Sequence, residues 1–312
     1  MKRRLMSINQ IHYRKLFLCF FTIVFLYCLV HLIETGRFLI DHFIPNEDFD
    51  DLVKIDIEMW QNNRSLIRQE IPRHIHQIWI SSSEKKSMND KYLLASKSCQ
   101  TLNSNYNYTL WTNEKLLNFL NTEYPWFVSV YENYRYDMQR IDSMKYFLLF
   151  HYGGIYIDLD VKCLVNDLIS KILYENEQKT NEPDIILHIG TEGISANTDF
   201  MISKRYHPFF KFAISRLKSA NRWFYLYHLT IILSAGPTFL YGIYRKFPLK
   251  DQFYFIPNDF LWGKLIDGVG GGSWYGKDTL VLLFVMQHYL ICSIFIFLLL
   301  FSFIFVRQMK KI

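Results

Sequence analysis

Two aspartates with one residue between them, Asp158 and Asp160, follow a short apolar run at residues 155–157. If that run is a strand that continues through both acids, their side chains point to the same face of a sheet. If the chain bends there, the two carboxylates still lie close together and repel each other, and burial would raise one pKa strongly. A divalent cation relieves that repulsion, and hard oxygen ligands suit Mg²⁺ or Mn²⁺. The pair therefore indicates a cation site that could hold a diphosphate, with a solvated loop at a strand end as the alternative.

A helix and two glycines precede these acids. Apolar residues recur at helical spacing over residues 141–150, which predicts a helix that ends at Gly153 and Gly154. Asp142 and Lys145 are one turn apart on this helix and share a face. That spacing is typical of an ordinary surface ion pair and is equally compatible with two residues of one site.

Strand and helix patterns alternate in the part of the chain that comes before. Residues 75–80 and 108–111 have the composition of buried strands, whereas residues 89–100 and the segment from residue 112 onward have helical patterns. Such alternation favours an α/β layered fold with mostly parallel strands. The paired acids would then follow a strand of that sheet.

Composition excludes several classes of protein. Half of the 312 residues are hydrophobic and 18% are aromatic, which excludes a disordered chain. The net charge of +6 is modest and is concentrated at the termini, so no nucleic-acid partner is expected. The five cysteines include no C-x-x-C pair, which argues against a zinc ribbon and against a disulfide framework.

Apolar residues are concentrated in two runs near the ends of the chain, 16–33 and 289–306, neither of which contains an acid, Lys or Arg. Each is close to the roughly 20 residues that cross a bilayer core. Basic residues flank both runs on their outer sides, which predicts cytosolic termini and a luminal body between them. The alternatives are a cleaved signal peptide for the first run and a buried core helix for the second.

This pattern divides the chain into six predicted segments. They are a cytosolic tail (1–15), a transmembrane signal anchor (16–33), a stem (34–70), a globular domain (71–280), a C-terminal transmembrane segment (281–306) and a second cytosolic tail (307–312). Asn63 and Asn107 begin glycosylation sequons, which suit a luminal domain. Cys99 and Cys163 are the only cysteines outside the two runs, and they could form a bridge in an oxidising lumen.

At this point the sequence resembles a known family. Asp142-x-x-Lys145 followed by Gly153-Gly154-Ile155-Tyr156-Ile157-Asp158-Leu159-Asp160 resembles the D-x-x-R…GG-x-Y-x-D-x-D signature of the family 32 glycosyltransferases, which carry a DXD sugar-binding motif. Further blocks, in the expected order, are similar to the inositol phosphorylceramide mannosyltransferases of that family. These blocks are residues 71–79, 124–127, 194–201, 207–210, 234–240 and 272–278.

The resemblance implies a GT-A nucleotide-sugar-binding domain flanked by two transmembrane helices, a bound Mn²⁺ or Mg²⁺, and transfer with retention of the anomeric configuration. It assigns Asp158 and Asp160 as catalytic metal ligands at the donor diphosphate. It implies that the other matching residues bind the donor. These are Gln77 and Trp79 near the nucleotide base, Asp142, Lys145, Gly153, Gly154 and Tyr156 in the signature, Asp199 in the middle block, and Ser273 and Trp274 in a closing loop over the diphosphate.

The resemblance also implies partners and a location. The donor would be GDP-mannose, the acceptor the lipid inositol phosphorylceramide, and the location a Golgi membrane with the catalytic domain in the lumen, where a regulatory membrane subunit could bind. Two alternatives stay open. One is the same fold with another substrate pair, either UDP-galactose to a glycosphingolipid or mannose to a protein-linked glycan. The other is a non-catalytic membrane partner of such an enzyme.

Two positions depart from the family pattern. Lys145 stands where Arg is usual, and a lysine supplies the charge without a bidentate fork. The closing block has Tyr275-Gly276-Lys277 where a histidine-containing version is more common. Both departures bear on donor preference, and neither removes the two acids of the D-x-D motif.

Overall fold

A computed structural model gives the fold. It describes residues 51–63, 70–80, 88–176, 182–190, 196–270 and 276–280, together with a few single positions nearer the two ends. The predicted segment boundaries stay predictions.

A mixed six-stranded sheet is the centre of the molecule, with strand order β2-β1-β3-β6-β5-β7, and β4 pairs with β8 in a separate small sheet. The strands are β1 (His74–Trp79), β2 (Asn107–Thr112), β3 (Gly154–Ile157), β4 (Val161–Cys163), β5 (Ile185–Ile189), β6 (Ala196–Ser203), β7 (Phe253–Ile256) and β8 (Ile266–Gly268).

Five strands of the main sheet point in one direction, and β6 points in the other. The pairs β1–β2, β1–β3 and β5–β7 are parallel, whereas β6 is antiparallel to both of its neighbours, β3 and β5. The carboxyl ends of β1, β3, β5 and β7 therefore meet at the same edge of the sheet, together with the amino end of β6. We call this edge the C-edge and the opposite one the N-edge. Open α/β sheets bind ligands outside the carboxyl ends of their strands.

Helices cover both faces of the sheet. They are α1 (Asp51–Asn63), α2 (Asp90–Leu102), α3 (Asn113–Glu123), α4 (Pro125–Glu132), α5 (Asp137–His151), α6 (Leu168–Asn176), α7 (Pro208–Ala220), α8 (Tyr227–Ser234), α9 (Pro237–Lys246) and α10 (Asn258–Leu261), with a 3₁₀ turn at Lys250–Gln252. Side chains at Asn89 and Thr112 cap α2 and α3 by accepting backbone N–H groups. Proline begins α4, α7 and α9, where its missing N–H costs nothing.

Alternate residues of the central strands enter two separate hydrophobic cores. On β3, Tyr156 belongs to one core, whereas Ile155 and Ile157 belong to the other. Because successive side chains of a strand point to opposite faces, the sheet is buried on both sides. The second core includes a disulfide between Cys99 of α2 and Cys163 of β4, which joins the small sheet to the domain. Helix α1, in the segment predicted as a stem, contributes Val53 to the first core.

The prediction of a fold flanked by two transmembrane helices is corrected. In the residues that the structure describes, no helix combines the length and the apolar character needed to cross a membrane. The longest helix with described bounds, α5, has 15 residues and is about 22 Å long, which is less than the roughly 30 Å of a bilayer core. The run 16–33 lies outside the described residues except at positions 22, 30 and 33, and the run 289–306 lies wholly outside them. The strands and helices described above define the fold class as mixed α/β with a Rossmann-like sheet.

Candidate active site at the C-edge

The two glycines that lead into β3 have conformations that other residues rarely adopt. Gly153 and Gly154 have φ angles of 65° and 89°. A Cβ on Gly154 would lie 2.3 Å from the carbonyl oxygen of His74, so the strand could not pair so closely with β1. The two glycines therefore allow β3 to lie close to β1. Their predicted contact with the donor stays a prediction.

Buried His76 holds the same turn from β1. Its Nε2 donates to the carbonyl oxygen of Gly153 at 3.0 Å, and its Nδ1 accepts from Trp111 Nε1 at 3.2 Å. Burial, followed by the nearby His74, lowers the pKa of His76 to about 3. The ring is therefore neutral, with its proton on Nε2.

The strand ends at Ile157, so it does not continue through the paired acids, and Asp158-Leu159-Asp160 forms a turn. Three backbone hydrogen bonds fix this turn: Asp158 N–H donates to Asp199 at 2.8 Å, Val161 N–H to Asp158 at 3.1 Å, and Val269 N–H to Asp160 at 2.8 Å. Gln77 also supports the turn, because its Nε2 donates to the carbonyl oxygen of Asp158 at 3.3 Å. Gln77 is fully buried, and contact with a nucleotide base stays a prediction for it.

A buried lysine lies between two aspartates behind the turn. Lys145 Nζ is 2.8 Å from Asp142 Oδ1 and 3.0 Å from Asp158 Oδ1, and the residue is only 1% exposed. Burial alone would lower the pKa of Lys145, but Asp142 and Asp158 outweigh it and raise the pKa. Tyr156 donates to the same Asp158 oxygen at 2.7 Å. The site therefore has a permanently charged lysine that orients Asp158, and Asp142 acts on the site through that lysine.

Burial raises the pKa of Asp142, and it raises the pKa of Asp160 to about 6, with the charges of Asp158 and Asp199 as further causes at Asp160. Negative charge thus exceeds positive charge around the turn. This excess, on hard oxygen donors, fits Mg²⁺ or Mn²⁺. Among the residues that the structure describes, no three His, Cys, Asp or Glu side chains are grouped closely enough to hold a metal ion by themselves. Within the described residues, Asp158 and Asp160 are the carboxylates that would hold such an ion.

Both acids of the turn line a cleft of about 590 Å³. Trp79, half-buried at the end of β1, is another of its walls, as are Arg135 and Tyr227. Asp142 and Lys145 do not line this cleft and are buried behind Asp158. Direct contact of these two residues with a donor therefore stays a prediction.

Asp199 reaches the same edge from the opposite strand direction. It lies on β6, and one carboxylate oxygen contacts Nε2 of His188 at the end of β5. The buried His188 ring also contacts Asn258 Oδ1 at 3.2 Å and packs against Trp262. Sequence reasoning missed His188. In the sequence, His188 is only a polar residue near the end of the apolar run 185–189. It becomes a candidate site residue once that run is known to be a strand that ends at the C-edge.

The remaining predicted positions are of two kinds. Ser273 and Trp274 lie outside the described residues, so their predicted role over the diphosphate is untested. The glycosylation candidates are described in part: Asn63 is the last residue of α1, and Asn107 is exposed at the start of β2. Glycosylation stays a prediction at both.

The block at residues 234–240 supports the helix that carries Asp142. Gln139 Nε2 donates to Ser234 Oγ at 2.8 Å, and the hydroxyl of Tyr146 donates to the carbonyl oxygen of Ala235. A Cβ on Gly236 would lie 3.3 Å from Asp142 Oδ2. A glycine there lets the backbone approach the buried carboxylate closely.

A cleft with paired acids at the carboxyl edge of a Rossmann-like sheet is an arrangement of enzymes that bind phosphate-containing ligands. Residues 89–179 match the family described as glycosyltransferase sugar-binding region containing DXD motif. Inositol phosphoceramide mannosyltransferase 1 of Schizosaccharomyces pombe is 31% identical over 248 residues, which are 76% of this chain and 72% of that protein. Mannosyl phosphorylinositol ceramide synthase SUR1 of Saccharomyces cerevisiae is 29% identical over 72% of this chain and 57% of its own length.

The chain belongs to the family of glycosyltransferases with a DXD-containing sugar-binding region, and it is a glycosyltransferase. The resemblance seen in its motifs is thereby confirmed. A second S. pombe relative, inositol phosphoceramide mannosyltransferase 3, is 32% identical over 80% of this chain and 67% of that protein. Among solved structures, the PaToxG glycosyltransferase aligns with 63% of this chain and 79% of its own, at 16% identity and a TM-score of 0.43.

Proposed function

We propose that this chain transfers mannose from GDP-mannose to inositol phosphorylceramide in sphingolipid synthesis, with a divalent metal and with retention of configuration. The observation that carries the proposal is the turn Asp158–Asp160, fixed by backbone hydrogen bonds and exposed to a cleft at the C-edge. The names of the relatives support the substrate class, since the three reported above are two inositol phosphoceramide mannosyltransferases and one mannosyl phosphorylinositol ceramide synthase, with identities near 30%.

Each residue around the turn has a separate task in this proposal. Asp158 and Asp160 would hold Mn²⁺ or Mg²⁺, which supplies charge neutralisation for the departing GDP. Lys145 pairs with one oxygen of Asp158, which leaves the other oxygen for a ligand. Trp79 at the cleft wall offers an aromatic face to the guanine base. No protein base is assigned, since front-face attack beside the diphosphate does not require one.

The compartment is also a proposal. We place the catalytic domain in the lumen of the secretory pathway, with the Golgi as the expected organelle. The disulfide Cys99–Cys163 supports this placement, because such bonds persist in oxidising compartments and are rare in the cytosol. Exposure of the sequon residue Asn107 is compatible with it.

The first experiment measures mannosyl transfer by the purified full chain with GDP-mannose, Mn²⁺ and inositol phosphorylceramide. We expect a mannosylated lipid product that disappears when EDTA is added and returns with Mn²⁺. Undiminished transfer in EDTA would overturn the metal-dependent mechanism.

A donor and acceptor panel tests the substrates separately. Release of GDP from GDP-mannose, without UDP release from UDP-galactose, is expected, and the reverse result would favour the glycosphingolipid alternative. Binding of GDP in Mn²⁺ without transfer to any acceptor would instead favour a non-catalytic partner. The panel therefore separates transfer from GDP-mannose, transfer from UDP-galactose, and binding without catalysis; a protein-linked glycan among the acceptors tests the remaining alternative.

A further inference from the structure

A loop beside the cleft exposes three large apolar side chains. It joins α7 to α8 over residues 221–226, and we call it the aromatic loop. Trp223, Tyr225 and Leu226 are 51%, 45% and 36% exposed, and the two aromatic rings lie 5.1 Å apart. Large apolar groups that share one exposed loop mark an interaction surface more often than scattered ones do.

The loop is held in place rather than left loose. Phe224, between the exposed residues, is only 3% exposed, and its N–H donates to Thr230 Oγ1 at 3.0 Å. Tyr225 has a φ of 63°, in the left-handed region that is unfavourable for a tyrosine. Backbone strain of this kind persists where the surrounding structure imposes it, and it is concentrated at functional sites. The Tyr225 side chain is 45% exposed in this conformation.

The aromatic loop continues directly into the cleft. The guanidinium of Arg135, a cleft residue, lies 5.2 Å from the centre of the Trp223 ring and 5.8 Å from that of Tyr136. Tyr227, the residue after the loop, lines the cleft and packs edge-on against Tyr136. Whatever the loop contacts is therefore brought to the mouth of the cleft.

The segment that contains the loop is basic, although Asp278 accepts from His228 N just after the loop and Asp137 lines the neighbouring cleft. Residues 200–250 contain nine Lys and Arg and no Asp or Glu. Lys218 and Arg222, at the end of α7 and in the loop, are exposed, as is Arg135. Aromatic side chains are enriched at bilayer interfaces, and basic side chains are attracted to anionic lipids, of which the phosphate-containing acceptor proposed above is one.

We propose that the aromatic loop seats the mouth of the cleft on the surface of an anionic bilayer, with Trp223 and Tyr225 in the headgroup region. This inference rests on the proposed lipid acceptor, because it explains how a lipid headgroup would be presented to the cleft. Trp223, Tyr225 and Leu226 form the apolar contact, and the basic residues around them form the electrostatic one.

The binding test is independent of activity. Hydrogen–deuterium exchange is measured on the full chain in phosphatidylcholine–detergent micelles, with and without phosphatidylserine. Slower exchange of peptides covering the aromatic loop is expected with phosphatidylserine, and this protection should be absent in the double variant Trp223→Ala/Tyr225→Ala. Trp126→Ala is the matched control, because Trp126 is 52% exposed outside the loop and should not alter the protection. Equal exchange with both lipid mixtures would overturn the proposal.

The second measurement follows transfer to the lipid acceptor in the same micelles. The double variant should raise the apparent KM for the lipid about tenfold, and Arg222→Gln about fivefold, while hydrolysis of GDP-mannose to mannose and GDP stays at the wild-type rate. An unchanged KM in both variants would overturn the role of the loop. If phosphatidylserine protects the loop but no mannose is transferred, the result supports bilayer binding by the loop and contradicts the proposed function. If mannose is transferred but the loop is not protected, the result supports the proposed function and contradicts bilayer binding by the loop.

Discussion

Two buried lysine–aspartate clusters lie at opposite edges of the same sheet, and they differ in their balance of charge. At the C-edge, Lys145 is shared by Asp142 and Asp158, with Asp160 close by. At the N-edge, just before β5, buried Asp184 pairs with Lys204 at 3.0 Å and accepts from Trp60 Nε1 at 3.1 Å. One cluster has several acids for one cation, whereas the other surrounds one acid with donors.

The difference indicates what each cluster is for. At the N-edge one lysine balances one buried acid, and the cluster joins α1, β5 and the end of β6 through Trp60, Asp184 and Lys204. Excess acid beside a cleft is unfavourable until a cation arrives. We therefore interpret the N-edge cluster as structural and the C-edge cluster as a site prepared for a metal ion and its diphosphate.

Removing the shared lysine should have the largest effect. Lys145→Met leaves the buried Asp142 and the partly exposed Asp158 without their cation, and we expect the free energy of unfolding to fall by roughly 3–5 kcal/mol. Denaturant unfolding of the purified chain measures this. Lys204→Met is the matched control; the one acid of that pair, Asp184, keeps its hydrogen bond from Trp60, so the loss should be smaller. Equal losses in the two variants would contradict the contrast between the clusters.

Asp158→Asn should separate chemistry from stability. The amide can still accept from Tyr156, and Lys145 keeps its pairing with Asp142, so the unfolding midpoint should change little. Turnover should fall roughly 100-fold or more, as when one preorganised electrostatic group is removed from an active site. Initial rates of mannosyl transfer, with circular dichroism as a check on folding, provide the measurement. A variant as active as the wild type would rule out a role for this acid in catalysis.

Asp184→Asn should give the reverse outcome. Loss of the carboxylate weakens contacts to Lys204 and Trp60, and we expect a stability loss of about 1–3 kcal/mol. The rate of transfer per folded molecule should match the wild type, because the N-edge lies at the far end of the sheet from the cleft. A selective loss of turnover with normal stability would mean that the N-edge is not merely structural.

Replacing His76, whose neutral ring lies beneath the C-edge, should have the smallest effect, seen as a change in how the free energy of unfolding depends on pH. The pKa of His76 is about 3 in the folded chain and close to 6.5 when unfolded. Between pH 6.5 and pH 3, the His76 side chain therefore binds a proton in the unfolded chain but not in the folded one. The stability that comes from its lowered pKa is present in full above pH 6.5 and is lost as the pH falls. At pH 5 the loss is about 2 kcal/mol. His76→Gln should reduce the pH dependence of the unfolding free energy between pH 8 and 5 by this amount; an unchanged profile would assign it to other groups.

Much of the site was predictable because it is local in sequence. Gly153-Gly154 before a strand, the spacing of Asp158 and Asp160, and Asp142 one turn from Lys145 all lie within 20 residues. Sequence spacing alone could not tell whether the strand continued to Asp160, since that depends on hydrogen bonds to Asp199 and Val269.

Other features depend on residues far apart in the chain. His188 and Asp199 meet because β6 lies antiparallel between β3 and β5, which the strand patterns do not reveal. Likewise, the spacing of Asp142 and Lys145 suits a surface pair, yet packing of α5 against the sheet buries both.

The amino-acid sequence by itself determined the family, the paired acids and the glycines before them, because these are properties of residue type and short-range geometry. The tertiary structure decided which acids share Lys145, where β3 ends and which edge of the sheet carries the cleft. It also decided that a loop rich in aromatic side chains lies at the mouth of that cleft. Burial and charge compensation depend on neighbours brought together by folding, and spacing along the chain does not fix those neighbours.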